Sequence, residues 1–91
     1  MPSVGNAASM PRFHFHLYDD LISHDHEGIE LHDTASAIAH AMSEARHVAA
    51  AQVLTGRLHL DHWLEVAADN ENGPIVAKVT FKDAVQVIER S

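Results

Sequence analysis

The chain has no cysteine and only six lysines and arginines, four glycines, three prolines, three phenylalanines, one tyrosine and one tryptophan in 91 residues. Without cysteine there is no disulfide, no thiolate metal site and no cysteine nucleophile, which suits a reducing, cytoplasmic setting. The cations Arg12, Arg46, Arg57, Lys78, Lys82 and Arg90 are scattered and face thirteen acidic residues, for a net charge of −7. That balance disfavours a nucleic-acid partner, whose phosphates are neutralised by clustered Lys and Arg. No apolar run approaches the ~20 residues of a membrane span. The first residues carry no basic segment followed by an apolar one, so they do not read as a secretory signal. Gly-x-Ser-x-Gly and phosphate-cradling glycine loops are absent too, so no catalytic constellation can be named and the chain reads as a non-enzymatic one.

What is abundant is histidine. There are nine, and only alanine, with fourteen, is commoner. Protonating all nine would carry the net charge from −7 to +2, so mild acid reverses the sign of the whole molecule. The length allows one small domain. Residues 1–10 are small and polar without periodicity and read as a flexible leader, leaving 11–91 as the domain.

Phe13, Phe15 and Leu17 alternate with His14, His16 and Tyr18, the period-2 pattern of a strand covered on one face. Asp19-Asp20 reads as a turn and Leu21–Asp25 as a second strand, with Ile29-Glu30-Leu31 an extended approach to a helix. Asp33 is a good N-cap for Thr34–Leu54, which holds neither Gly nor Pro, and Gly56 is placed to stop it. Ile38, Met42, Ala45, Ala49 and Val53 form the expected buried stripe of that helix, widened by Ala41 and Val48. Trp63–Ala68 and Ile75–Phe81 alternate as third and fourth strands about the turn Asp69–Pro74. A last helical turn, capped by Asp83, is expected from Ala84 to Ile88. The order is ββαββ, an α+β fold with a four-stranded antiparallel sheet and one long helix packed on one face.

Certain short motifs fit a known group of proteins: Met10-Pro11-Arg12-Phe13-His14-Phe15-His16, Glu27-Gly28-Ile29-Glu30-Leu31 with Asp33, Leu64-Glu65-Val66, Asn72-Gly73 and Phe81-Lys82-Asp83-Ala84. Over about residues 10–88 the chain resembles a family of small alphaproteobacterial proteins grouped as a domain of unknown function. Its members open Met-Pro-Arg-aromatic-aromatic-aromatic-His. His14 stands where that family has an aromatic residue, and His32 where it has proline. The resemblance implies that the family start falls at Met10 and that residues 1–9 are an extension; it supports the fold and adds no catalytic residue.

Candidate sites follow from placement. His14 and His16 share one strand face, about 7 Å apart at their Cα atoms; the alternative for His16, which stands at the resembling family's histidine position, is a structural hydrogen bond across the sheet. His24 lies across the hairpin, so His14, His16 and His24 are the candidate ligands of a transition metal such as Zn or Ni. His40, Glu44 and His47 share a helix face and read as a solvated polar surface. His59 and His62, flanking Asp61, read as inert loop histidines. Tyr18, Trp63, Glu65, Lys78 and Thr80 fall with His14 and His16 on the sheet face away from the helix, an expected open surface for a protein partner or a homodimer. The chain is thus expected to be a protein-interaction or self-assembly module, with histidine-mediated metal binding as the alternative.

Overall fold

The computed structural model describes residues 10–89; the leader expected at 1–10 lies outside them except for Met10. Strand β1 (Arg12–Tyr18) is followed by two short strands, β2 (Ile22–Ser23) and β3 (Ile29–Glu30). Helix α1 (Thr34–Leu54), β4 (Trp63–Ala68), β5 (Ile75–Thr80) and a one-turn helix α2 (Phe81–Ala84) complete the order. The fold is α+β, as the periodicity dictates, with every strand pairing antiparallel and α1 on one face. The sheet has five strands in place of the expected four. It runs β2-β1-β4-β5, and β3 adds to the same edge of β1 as β2.

The second strand is thus shorter than Leu21–Asp25, and the expected extended approach is itself paired. Leu17 and Tyr18 face Ser23 and Ile22, whereas Arg12 and Phe13 face Glu30 and Ile29. The register of the two short ladders differs by two residues, so the chain between them bulges away from β1. Asp25 fills the gap with its side chain. Its Oδ2 accepts the N–H of Phe15 at 3.0 Å, while Oδ1 accepts those of Glu27 at 3.2 Å and Gly28 at 3.0 Å. A carboxylate here replaces the missing strand, satisfying a β1 amide that would otherwise be lost. Burial works against the Asp25 charge, but the three N–H donors and nearby His14 outweigh it and hold the carboxyl below its ordinary value.

Helix α1 has its predicted bounds. The Asp33 side chain accepts the Ser36 N–H at 2.8 Å, and Gly56 supplies the positive φ of 89° just past the end. Its buried stripe, however, is Ala37, Ala41, Ala45 and Ala49, at strict four-residue spacing. Ile38 and Met42 pack only at the flank, and Val53 is exposed. Alanine at the contact line lets the helix axis approach the sheet closely, and the bulkier side chains then fit only beside that line. Leu64, Val66, Val79 and Phe81 close the core from the sheet side. The final helical turn begins earlier than expected: Thr80 caps it, accepting the Asp83 N–H at 3.1 Å, and the Asp83 carboxylate reaches back to the Thr80 N–H at 3.3 Å. Asp83 is therefore the third residue of a capping box and not the cap.

Candidate functional site

The sheet face away from α1 is open over only part of its length. His14 and His16, expected there in solvent, are each 4% exposed. Two loops cover them. Nδ1–H of His14 donates to the Asp25 carbonyl at 2.9 Å, and Gly28 packs on its ring so closely that a Cβ would lie 2.8 Å from Cε1. With φ at +72°, Gly28 is required both by conformation and by space. His16 has both nitrogens engaged: Nδ1 accepts the Asp25 N–H at 3.0 Å, and Nε2–H donates to the Glu71 carbonyl at 2.8 Å. The 24–28 loop and the Asp69–Pro74 turn thus meet over β1, and His26 Nδ1 with Glu71 Oε2 at 2.8 Å joins them from outside. The His24 ring stands edge-on to His16 with centroids 5.1 Å apart. His14, His16 and His24 are neighbours, but among the described residues their ligand atoms do not gather into a three-donor group.

A different set does. One donor atom from each of His59, Asp61 and His62 lies within 4.8 Å of the others. These residues occupy the connection between α1 and β4, which is pinned from two sides. From α1, Gln52 accepts the His59 N–H on Oε1 at 3.0 Å and, with its amide so oriented, donates through Nε2 to His62 Nδ1 at 3.0 Å. From the start of α2, the Phe81 N–H reaches the His62 carbonyl at 2.8 Å and the Lys82 N–H reaches Leu60 at 3.1 Å. His62 is buried, its ring edge-on to Phe81 at 5.7 Å and stacked on His59 at 4.4 Å. Its Nε2 faces outward, 3.8 Å from Asp20 Oδ1 in the β1–β2 turn. Isolated in sequence, these histidines gave one signal, two imidazoles three apart around a carboxylate. What converts them from surface residues into a cluster is Gln52, seven and ten residues away on another element.

The open end of the sheet face carries the remaining predicted residues, and the structure brings them together. Tyr18 and Trp63 stack at 4.9 Å with planes 4° apart, and Lys78 Nζ sits 4.4 Å above the indole. Trp63 Nε1–H donates to Glu65 Oε2 at 3.3 Å. Removal from water, and then the hydrogen bond and charge of Glu65, raise the Tyr18 hydroxyl above its ordinary value. Thr80 pairs with Trp63 across the ladder, though its hydroxyl is spent on the α2 cap. On α1, His40 Nε2 and Glu44 Oε1 pair at 3.3 Å, and the His40 ring packs on Phe15 at 4.6 Å, so of the expected solvated surface only His47 is exposed while His40 and Glu44 are half-buried. Among the described residues no helix is long and apolar enough to cross a membrane.

Residues 12–82 match a family model described as Domain of unknown function (DUF6894). No curated protein and no solved structure matches the chain.

Proposed function

The chain belongs to the DUF6894 family of domains of unknown function, and we propose that it serves as a non-enzymatic binder of a transition-metal ion such as Zn²⁺ or Ni²⁺, held by His59, Asp61 and His62. The observation that carries this reading is the convergence of three donor atoms within 4.8 Å on a pinned connection. Two imidazoles and a carboxylate are a donor set suited to borderline divalent ions. Ligand atoms around a tetrahedral ion sit about 3.4 Å apart, so the cluster needs a small contraction. It also needs a turn of one ring. An ion lies in the plane of each imidazole that binds it, and the His59 and His62 planes are 6° from parallel. His59, the more exposed of the two, is the ring that swings.

Gln52 sets the affinity. By donating to His62 Nδ1 it keeps the ring proton on Nε2, the outward nitrogen. Ligation through Nε2 moves that proton to Nδ1, where it wants an acceptor. Gln52→Glu keeps the oxygen that receives the His59 N–H and supplies that acceptor, so it is expected to tighten binding by roughly tenfold. Titration with Zn²⁺ or Ni²⁺, followed by histidine ring NMR, should shift His59 and His62 first. His62→Ala should abolish that response, and acidification should weaken it, because ligating imidazoles must be deprotonated. Shifts confined to His14, His16 and His24 would move the site to the hairpin, and uniform small shifts would end the proposal.

A second reading, a face for a protein partner or a homodimer, is favoured by the Tyr18–Trp63 stack with Lys78 above it on the uncovered part of the sheet. The outer edge of β5 beside it, with exposed Ile75 and Val76, pairs with nothing among the described residues. Sedimentation over a range of concentrations is expected to show a reversible dimer that Trp63→Ala weakens at least tenfold, the usual loss for a central aromatic anchor. A strict monomer that captures no partner would count against it.

A further inference from the structure

A cavity of about 390 Å³ opens on the other side of the molecule, between the outer edge of β1, the 24–28 loop and the flank of α1. It exists because β2 and β3 are short and the chain between them bulges, leaving the side of α1 unsupported there. Phe15, Leu17 and Ile29 give it apolar walls, while Asp25, Glu27 and Glu44 supply carboxylates. Among the described residues no lysine or arginine lines it, and His24 is its one basic side chain. Its volume lies in the range of small-molecule sites, about 300–1,000 Å³.

We propose that this cavity binds a small organic ammonium ion with an apolar body, the cation lying between Glu44 and Asp25 and the body against Phe15 and Leu17. Three carboxylates without a lysine or arginine among them repel an anion and leave a neutral apolar molecule facing charges it cannot satisfy. A bare metal ion is disfavoured for a different reason: among the described residues only the His59 cluster gathers three donor atoms, so this cavity offers none of the close convergence an ion needs. Glu44 is the group a cation would help most. Burial raises its carboxyl above the ordinary value; His40 at 3.3 Å opposes this, and the Asp25 charge adds to it. Asp25 holds its position whether or not a ligand is present, because three backbone amides fix it. One wall is therefore preorganised, and the other carries a half-buried carboxyl that, among the described residues, pairs with His40 and with no lysine or arginine.

The test uses 2-phenylethylammonium and its neutral analogue 2-phenylethanol, titrated into the full chain at low ionic strength and read by amide NMR. The ammonium is expected to give saturable shifts at Phe15, Asp25, Gly28 and Glu44, with at least tenfold weaker binding of the alcohol. Glu44→Gln, which removes the charge and keeps the shape, should weaken the ammonium to the level of the alcohol. Ala39→Gln, on an exposed position of α1, should change nothing. Equal binding of ammonium and alcohol would overturn the proposal, as would no saturation by about 10 mM, where even a weak site of roughly 3 kcal/mol is half filled. Full affinity in a folded Glu44→Gln variant would overturn it too. None of these outcomes depends on the His59 cluster.

Discussion

Phe81→Ala is expected to lower the unfolding free energy by about 3–5 kcal/mol, the usual result of emptying a fully buried aromatic position. Phe81 is 0% exposed and among the largest side chains wholly inside the core. It begins α2, so its ring enters the space between the sheet and the alanine line of α1. The methyl groups of those alanines cannot swing into the hole, and relaxation will be small. The total stability of a domain this size is about 5–14 kcal/mol, so the loss is a large fraction of it. In thermal denaturation it should appear as a fall in Tm of roughly 12–40 °C, at about 4–8 °C per kcal/mol. The ring also supports His62 edge-on. A folded Phe81→Leu variant should therefore keep most of the stability yet bind metal more weakly. A loss below about 1 kcal/mol for Phe81→Ala would contradict the burial described here.

Asp25→Ala is the second large change, expected to lower stability by about 2–3 kcal/mol. Three charge-assisted bonds would nominally sum to more. The Glu27 and Gly28 amides lie in a loop that water can reach, however, and only the Phe15 amide is left stranded on a buried residue. The effect should also depend on pH with a definite sign. The folded-state value of Asp25 lies below the ordinary 3.8, so its contribution is fully present above that value and is lost as pH falls through the folded one. Urea denaturation of the parent and of Asp25→Ala should accordingly differ by a constant amount at neutral pH and converge in strong acid. Glu44 contributes in the opposite sense: its value is raised, so its charge weighs against the fold, and that burden lifts as pH falls through the raised value. A difference between parent and variant that showed no decrease on strong acidification would refute the role given to Asp25.

Much of this architecture is written in local patterns. The bounds of α1 follow from Asp33, Gly56 and the absence of breakers between them. β4 follows from its alternation, and the turn after it from its Asp, Asn, Gly and Pro. The cap of α2 is a local error, since Thr80 and Asp83 stand three residues apart; the larger departures depend on partners distant in sequence. In the α1 stripe Ala41, Ala45 and Ala49 are buried as the pattern predicts, but Ala37 takes the place of Ile38, Met42 moves to the flank and Val53 is exposed, because hydrophobicity ranks Ile and Met above Ala, whereas the depth of the helix–sheet contact favours the smallest side chain. The alternation places His14 and His16 on the face away from the helix and allows a hydrogen-bonded His16, but it does not say that Glu71, 55 residues beyond His16, folds back over that face. The cluster at His59, Asp61 and His62 looked inert because its organiser, Gln52, lies on a helix where nothing marks it as more than a polar residue.

By itself the sequence determined the long elements β1, α1, β4 and β5, the α+β class, the acidic charge and the histidine abundance, because each is a property of short windows or of composition. Only the tertiary structure decided which histidines are occupied and which converge. An imidazole's chemistry is set by what meets its two ring nitrogens, and here those partners are Asp25, Glu71 and Gln52, supplied by a loop, a turn and a helix. His14 and His16 spend their proximity on holding two loops together. His59 and His62, with nothing but their spacing to recommend them, are brought together with Asp61 by the packing of α1 and α2 around the connection that carries them.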